Sequence, residues 1–425
     1  MKLVKTNNGQ NYLLPFLLVT TLFFLWGFAH SILDVLNKDF QIVFEMTKTR
    51  SALIQLMVYG GYFLMALPAG WIIKRYGYRR GVVFGLLLYA AGAFLFIPGS
   101  KWQSFPFFLF SLFVIGCGLT CLETAANPYV TVLGEPRYGS ARLNFAQSFN
   151  GLGWIVGPLV GSLVILQDAS NVENLAKPYM GLGIAVVIVA ILFMMVKLPE
   201  VEEGQPSESA KQKQAKGAYH NPSKVIAQAQ PHEASSLWKY PHFVFGLVAL
   251  FFYVAAQTGI NSFFINYVTE TDMNFTPTEA GLLLSFGGMG LFMVGRLAGS
   301  WLLSRIAAAR LMWLFSCGAI VCMVLVVMNT GWLSIGALFV TYLFESIMFP
   351  TIFSMSIQGL GHLTKQASSL LIMSIVGGAL APLLMGYIGE ESIAVGFIVP
   401  LLCFVMIAAF SKRYEKLKIE NYRAS

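Results

Sequence analysis

Two carboxyl groups in this chain, Asp34 and Glu123, sit inside long apolar runs that contain no lysine or arginine. A charge surrounded by hydrocarbon is expensive and by default marks a pathway or a site. A carboxyl without a fixed counter-ion can take up and release a proton, so both residues are candidates for proton coupling. Amides accompany them. Asn127 lies four residues after Glu123 and shares its helix face. Asn144, Gln147 and Asn150 recur at intervals of three, and Gln257 and Asn261 are again four apart. Such stripes in three separate runs predict the walls of a wet central cavity; the alternative is hydrogen-bonding glue between helices. Amides both donate and accept, and Trp26, Phe24, Tyr253 and Phe349 offer flat apolar faces, so the cavity suits a polyhydroxylated ligand. His30, one turn before Asp34, reads as a hydrogen-bonding wall residue. The competing reading of Asp34 is a helix end in water.

These groups must be held by elements that the composition defines. The chain has 425 residues, 56% hydrophobic and only 11% charged, with a mean hydropathy of +0.68. That lies outside the range of ordinary soluble domains. Apolar runs of roughly 20 residues, the length of a bilayer-spanning helix, recur along the whole chain. Twelve are expected, so the fold class is an all-α integral membrane protein in contact with the lipid bilayer. The first run, about 13–37, is too long and too polar for a cleaved signal peptide, with Trp26, His30 and Asp34 inside it. The five cysteines (Cys117, Cys121, Cys317, Cys322 and Cys403) all fall in apolar runs and read as small buried hydrophobes. Their spacing suggests no zinc site.

The net charge of +8 is a topology signal rather than a nucleic-acid footprint. With the N-terminus in the cytoplasm, the outer loops keep only Lys38, Lys48, Arg50, Lys101 and Lys177. Arg296 falls in a span, and the remaining basic residues collect on the other side. The positive-inside rule then places both termini in the cytoplasm. Residues 198–238 are polar, rich in Gln, Lys, Ser and Pro, and read as a flexible cytoplasmic linker. It divides an N-terminal six-helix bundle, 1–197, from a C-terminal one, 239–425, that ends in a short basic tail.

The two halves repeat each other. Glu123-x4-Pro128 in the fourth span matches Glu345-x4-Pro350 in the tenth. Gly153-x3-Gly157-Pro158 in the fifth matches Gly377-x3-Ala381-Pro382 in the eleventh. Ala69-Gly70-Trp71 with Arg75 is echoed by Ala298-Gly299-Ser300-Trp301 with Arg305, and Phe23-Phe24 by Phe251-Phe252. Matches in the same order indicate a parallel repeat of two pseudo-symmetric bundles. Glu345 is thus the repeat mate of Glu123, or alternatively a partner for Arg296. The glycines of the fifth span let helix backbones approach closely, and Pro158 is expected to kink it.

The loop after the second span, Gly70-x3-Lys74-Arg75-x-Gly77-x-Arg79-Arg80, resembles the gating-loop signature of the major facilitator superfamily, with Lys74 in place of the usual Asp. More specifically, the chain is similar to the fucose/glucose/galactose:proton symporter branch of that superfamily. The likeness rests on Phe24-Leu25-Trp26-Gly27-Phe28 with Asp34, on Leu122-Glu123-Thr124-Ala125-Ala126-Asn127-Pro128, and on Arg142-Leu143-Asn144-Phe145-Ala146-Gln147-Ser148-Phe149-Asn150. It continues at Met348-Phe349-Pro350-Thr351-Ile352-Phe353-Ser354 and Ile375-Val376-Gly377-Gly378. The resemblance implies a twelve-helix sugar/proton symporter of the bacterial inner membrane, with Asp34 and Glu123 carrying proton coupling and Glu123 close to the sugar. Monomer is the family default. Where the fucose-porter pattern has amides before the first-span Asp, this chain has His30-Ser31-Ile32-Leu33-Asp34. His30 can therefore tune Asp34, and the choice of sugar stays open.

The expected function is proton-coupled import of a monosaccharide (hexose, deoxyhexose or N-acetylhexosamine) by alternating access. The substrate contacts are assigned to Glu123, Asn127, Asn144, Gln147, Asn150, Gln257, Asn261, Trp26, His30 and Phe349. Gating or structural roles go to Gly70, Arg75, Gly77, Arg79, Arg142, Gly157, Pro158, Arg296 and Glu345. No cofactor is expected beyond the coupling proton, and no metal site. A proton-driven exporter of sugars or drug-like solutes is the alternative. An enzyme is excluded, because the sequence offers no metal-spaced His cluster, no nucleophile constellation and no phosphate loop.

Overall fold

The computed structural model describes residues 12–133, 139–168, 173–196, 236–271, 273–303, 305–358, 360 and 363–424. The expected linker therefore lies almost wholly outside the described residues. In hydrocarbon every backbone N–H and C=O must be paired within the segment, which a helix achieves alone. Among the described residues all regular structure is helical.

Among the described residues, twelve long helices follow one another. They are α1 (Leu13–Val43), α2 (Leu53–Tyr76), α3 (Tyr78–Phe94), α4 (Phe105–Val132), α5 (Gly139–Val164) and α6 (Glu173–Met195). After the linker come α7 (Pro241–Thr269), α8 (Pro277–Leu303), α9 (Ala308–Met328), α10 (Trp332–Ile357), α11 (Gln366–Ile388) and α12 (Ile398–Ala424). Among the described residues, eleven spans are long and apolar enough to cross a membrane. The remaining helix is α5, whose amides and glycines dilute its hydropathy. The first span is longer than expected: α1 continues past residue 37 to Val43, because its polar end is buried against α7 rather than released to water.

Glycine decides how closely the helices pack. A Cβ on Gly157 would come within 3.0 Å of the Phe28 and Ile32 backbones, and one on Gly161 within 2.9 Å of Val35. So α5 lies directly on α1, as the small-residue stripe predicts. Pro158 sits inside α5 beside this contact. The second half repeats the device, with Gly377 of α11 against the backbone of Phe251 on α7. Buried apolar side chains gather into two clusters, one drawn from residues 16–193 and the other chiefly from residues after 237.

The α2–α3 turn needs Gly77, which holds φ +86°, a conformation that costs little only for glycine. Arg79 donates to the Phe193 carbonyl at 3.1 Å and to that of Met194, tying the turn to the end of α6. Arg75 lies over the rings of Trp71 and Tyr76, 5.7 Å from each centroid. Gly70 has open space where a Cβ would stand, so packing does not explain it.

The halves meet through α1 with α7, α2 with α11 and α5 with α8. At the end of the bundle that carries the α1–α2, α7–α8 and α11–α12 connections they are latched. Lys48 Nζ lies 2.8 Å from Glu270 Oε1 and donates to the carbonyls of Gly389 and Glu390 at 2.9 and 3.0 Å. The Glu390 carboxylate accepts from the backbone N–H of Lys48 and Thr49 and from the Thr49 hydroxyl. Glu270 Oε2 accepts from Ile393 N–H at 3.0 Å. Deeper in, Asn37 donates to the Ser262 carbonyl and Asn266 to Gln41, each at 2.6 Å.

Candidate functional site

Midway along α1 the chain turns one polar face inward. His30 and Asp34, one turn apart, are both buried, at 7% and 2% exposure. Asp34 Oδ1 accepts from Gln55 Nε2 on α2 at 3.3 Å, while Oδ2 is buried without a hydrogen-bond partner. Asp34 is therefore not a helix end in water. Burying a carboxylate without a compensating charge costs several kcal/mol, of the order that makes proton binding the cheaper solution.

Glu123 projects from α4 on the same side and is 6% exposed. Tyr62, on α2, neighbours its carboxyl and the Trp26 indole. Its Oε2 is buried without a hydrogen-bond partner. The Tyr62 hydroxyl is 3.0 Å from His30 Nε2. The His30 ring stacks on Trp154 at 6.1 Å and packs against Trp26, Tyr59 and Tyr62. Tyr59 accepts from the Thr258 hydroxyl on α7 at 3.1 Å, which joins this cluster to the other half. A cleft between α1 and α4 is lined by Leu22, Phe23, Trp26, Leu122, Glu123, Ala126 and Asn127.

The structure thus brings Trp26, Glu123 and Asn127 together, with His30 and Asp34 beside them. The Asn127 Oδ1 is buried and unpartnered. The other assigned amides divide. Asn150 Nδ2 donates to the Phe23 carbonyl at 3.2 Å, so this amide clamps α5 onto α1, the glue role rather than a free wall. Asn261 is buried with Oδ1 unpartnered. Gln147 and Gln257 are half-buried. Asn144 is placed on α5, but its side chain lies outside what is described. Arg142 is fully buried, its Nε donating to the Val130 carbonyl at 3.0 Å, and so ties α5 to α4.

In the second half Phe349 packs against Tyr253 at 6.0 Å. Glu345 is fully buried and neither of its carboxyl oxygens has a hydrogen-bond partner. Arg296 instead lies over the Phe292 ring, 4.8 Å from its centroid, with its Nε unpartnered. The alternative assignment of Glu345 as a partner for Arg296 meets no hydrogen bond or ion pair between the two.

Sequence reasoning missed Tyr62, Gln55, Trp154 and Asp39. Tyr59 and Tyr62 bracket Gly60-Gly61 in an apolar run, and a tyrosine pair three apart on one helix face was the available signal. Asp39 is a further buried carboxyl on α1, with both oxygens unpartnered; it lies past the expected end of the first span, near residue 37.

Comparison with known proteins follows the same direction. Residues 15–382 match the family model of the Major Facilitator Superfamily. The chain is 36% identical over 414 residues to the glucose/galactose transporter of Brucella abortus (strain 2308), covering 96% of this chain and 95% of that one. It is 35% identical over 427 residues to the L-fucose-proton symporter of Escherichia coli (strain K12), covering 95% and 94%. The crystal structure of the Major Facilitator Superfamily transporter FucP in the outward conformation matches with a TM-score of 0.67 at 34% identity, covering 95% of this chain and 99% of that one. The inward open xylose transporter XylE of E. coli has a TM-score of 0.72 at 14% identity, a likeness of fold. With eleven spans among the described residues that qualify by length and hydropathy, this is a multi-pass membrane protein. A family model that covers most of its length, together with full-length relatives at 35–36% identity, shows that the chain belongs to the Major Facilitator Superfamily.

Proposed function

We propose that this protein imports a monosaccharide together with a proton, by alternating access. The observation that carries the reading is the pair of buried carboxyls, Asp34 and Glu123. Each has one unpartnered oxygen, and they flank an aromatic cluster beside a cleft. The full-length relatives support it: one is named a glucose/galactose transporter and another an L-fucose-proton symporter.

In the proposed cycle the latched end faces outside, a reading that the distribution of basic residues supports, so that the latch closes the outer side. When the latch opens, Asp34 takes a proton from the outer side. Glu123, Asn127 and Trp26 receive the sugar, with hydroxyls on the carboxyl and amide and the apolar ring face on the indole. The halves then rock, and sugar and proton leave to the cytoplasm of a bacterial cell. A protonated carboxyl crosses the barrier without an unpaired charge. Each proton entering down the membrane potential supplies about 2.3 kcal/mol per 100 mV. This work needs no cofactor beyond the proton.

Proteoliposomes with an imposed inward proton gradient test the reading. Labelled glucose, galactose, fucose, mannose and N-acetylglucosamine are offered separately. At least one should accumulate, and a protonophore should abolish the accumulation. Gradient-driven efflux instead of uptake would replace import with export.

A further inference from the structure

We infer that Gln55 is a positioning residue of proton coupling: its side-chain amide holds the Asp34 carboxyl and sets the outer pH at which that carboxyl loads. The inference deepens the symport reading and rests on it. Gln55 lies on α2, 2% exposed, and donates from Nε2 to Asp34 Oδ1 at 3.3 Å. Among the described residues Asp34 makes no ion pair, and its Oδ2 is buried without a partner. The Gln55 amide is thus the group that meets the charge when Asp34 is ionised. An ionised carboxyl only accepts hydrogen bonds, whereas a protonated one also has an O–H to donate. An amide serves both states. Its NH2 group donates to the carboxylate, and after a half-turn of the amide its carbonyl accepts from the acid. A lysine here would hold the carboxyl in its charged form, and an apolar side chain would leave that charge without a donor.

The fold seats this amide from both sides. Ser51, four residues before Gln55, accepts from Gln41 Nε2 of α1 at 2.9 Å. Tyr59, four residues after it, accepts from the Thr258 hydroxyl of α7 at 3.1 Å and packs against the His30 ring. A Cβ on Gly378 of α11 would come within 2.9 Å of the Tyr59 ring. The face of α2 that carries Gln55 therefore rests on α1 and on the second half together. The titratable groups around Asp34 do not duplicate the role. His30, on its own helix, is 3.0 Å from the Tyr62 hydroxyl, and the nearby Tyr59 and Tyr342 of α10 carry no charge. Glu123 on α4 is itself a carboxyl and donates nothing when ionised. The charged residue of α5 is Arg142, whose Nε donates to the Val130 carbonyl, and α7 contains no Asp, Glu, Lys or Arg.

The test follows sugar uptake in proteoliposomes against outer pH, under a membrane potential held constant with potassium and valinomycin. The sugar is the one that the wild-type protein accumulates. Gln55→Met keeps the side-chain length and removes the donor, so Asp34 should load at a more alkaline pH. The pH of half-maximal uptake should rise by about one unit, a tenfold change in proton binding, the size expected for one hydrogen bond to a charged group. Gln55→Lys should move it in the opposite direction. Counterflow exchange, which needs sugar binding and rocking but no net proton entry, should persist in Gln55→Met. An unmoved profile in Gln55→Met, or a shift of both variants in the same direction, would overturn the assignment. So would loss of counterflow in Gln55→Met, which would make Gln55 a packing residue. If the wild-type protein itself shows no gradient-driven uptake, the symport reading fails first, and that outcome is distinct from a failure of the Gln55 role.

Discussion

Lys48 offers the sharpest perturbation of the conformational cycle, because one side chain holds three groups of the opposite half. Its ammonium pairs with Glu270 at 2.8 Å and donates to two carbonyls at 2.9 and 3.0 Å. The pair is only partly covered, with side chains 12% and 30% exposed, so solvent screening limits it to about 1 kcal/mol. Hydrogen bonds from a charged donor contribute about 1.5 kcal/mol each before water replaces part of them. Lys48→Met should therefore destabilise the latched state by about 2–3 kcal/mol, a 30- to 150-fold shift toward opening at about 1.4 kcal/mol per tenfold. Ser262, fully buried behind the latch, supplies the reporter. In a background without the five native cysteines, Ser262→Cys should react slowly with a membrane-impermeant maleimide added outside. Lys48→Met should speed that labelling 30- to 150-fold. Glu270→Gln, which removes the pair and keeps the carbonyl bonds, should speed it about fivefold, the worth of the screened pair alone. A change below threefold in Lys48→Met would refute the latch energetics, and labelling from the inner side alone would refute the orientation.

Three further outcomes follow from the same geometry. Gly157→Val should force α5 away from the Phe28 and Ile32 backbones, lowering stability by about 1–3 kcal/mol, whereas Gly70→Ala, with open space at its Cβ, should leave the melting temperature in detergent unchanged or raised. Glu345→Gln should keep accumulation within about twofold of wild type, because a fully buried carboxyl without a partner is cheapest in its neutral form; a tenfold loss would show that its ionised form is needed. Asp34→Asn should abolish accumulation against a gradient and make residual exchange insensitive to outer pH, since the asparagine cannot load a proton. Normal pH-dependent concentrative uptake in that variant would remove Asp34 from coupling.

Much of the architecture was legible in the sequence. Apolar runs have a length that only a bilayer demands, and each becomes a helix because no other element satisfies its own backbone there. The close approach of α5 to α1 was visible in the Gly153, Gly157 and Gly161 spacing, and its repetition at Gly377 followed from the internal repeat. Three things were hidden, all for one reason: they depend on a partner from a distant helix. Asn37 looks like the end of a span until Ser262 of α7 receives its amide, which is why α1 outruns its expected length and Asp39 was overlooked. Asn150 has the character of a ligand-binding amide until its donor is found on the Phe23 carbonyl. Tyr62 is one tyrosine in an aromatic chain until the His30 ring nitrogen meets its hydroxyl. Glu345 shows the converse: Arg296 was a chemically sensible partner, but the guanidinium settles on Phe292 instead.

The central claim is that sugar and proton enter together and that Glu123 joins their movements. External alkalinisation tests it most directly. Lightly buffered proteoliposomes receive one sugar at a time while the outer pH is followed. The account predicts a rise in outer pH with the transported sugar, a rise that is missing in Glu123→Gln. Entry of labelled sugar with no pH change in the wild-type protein would contradict it.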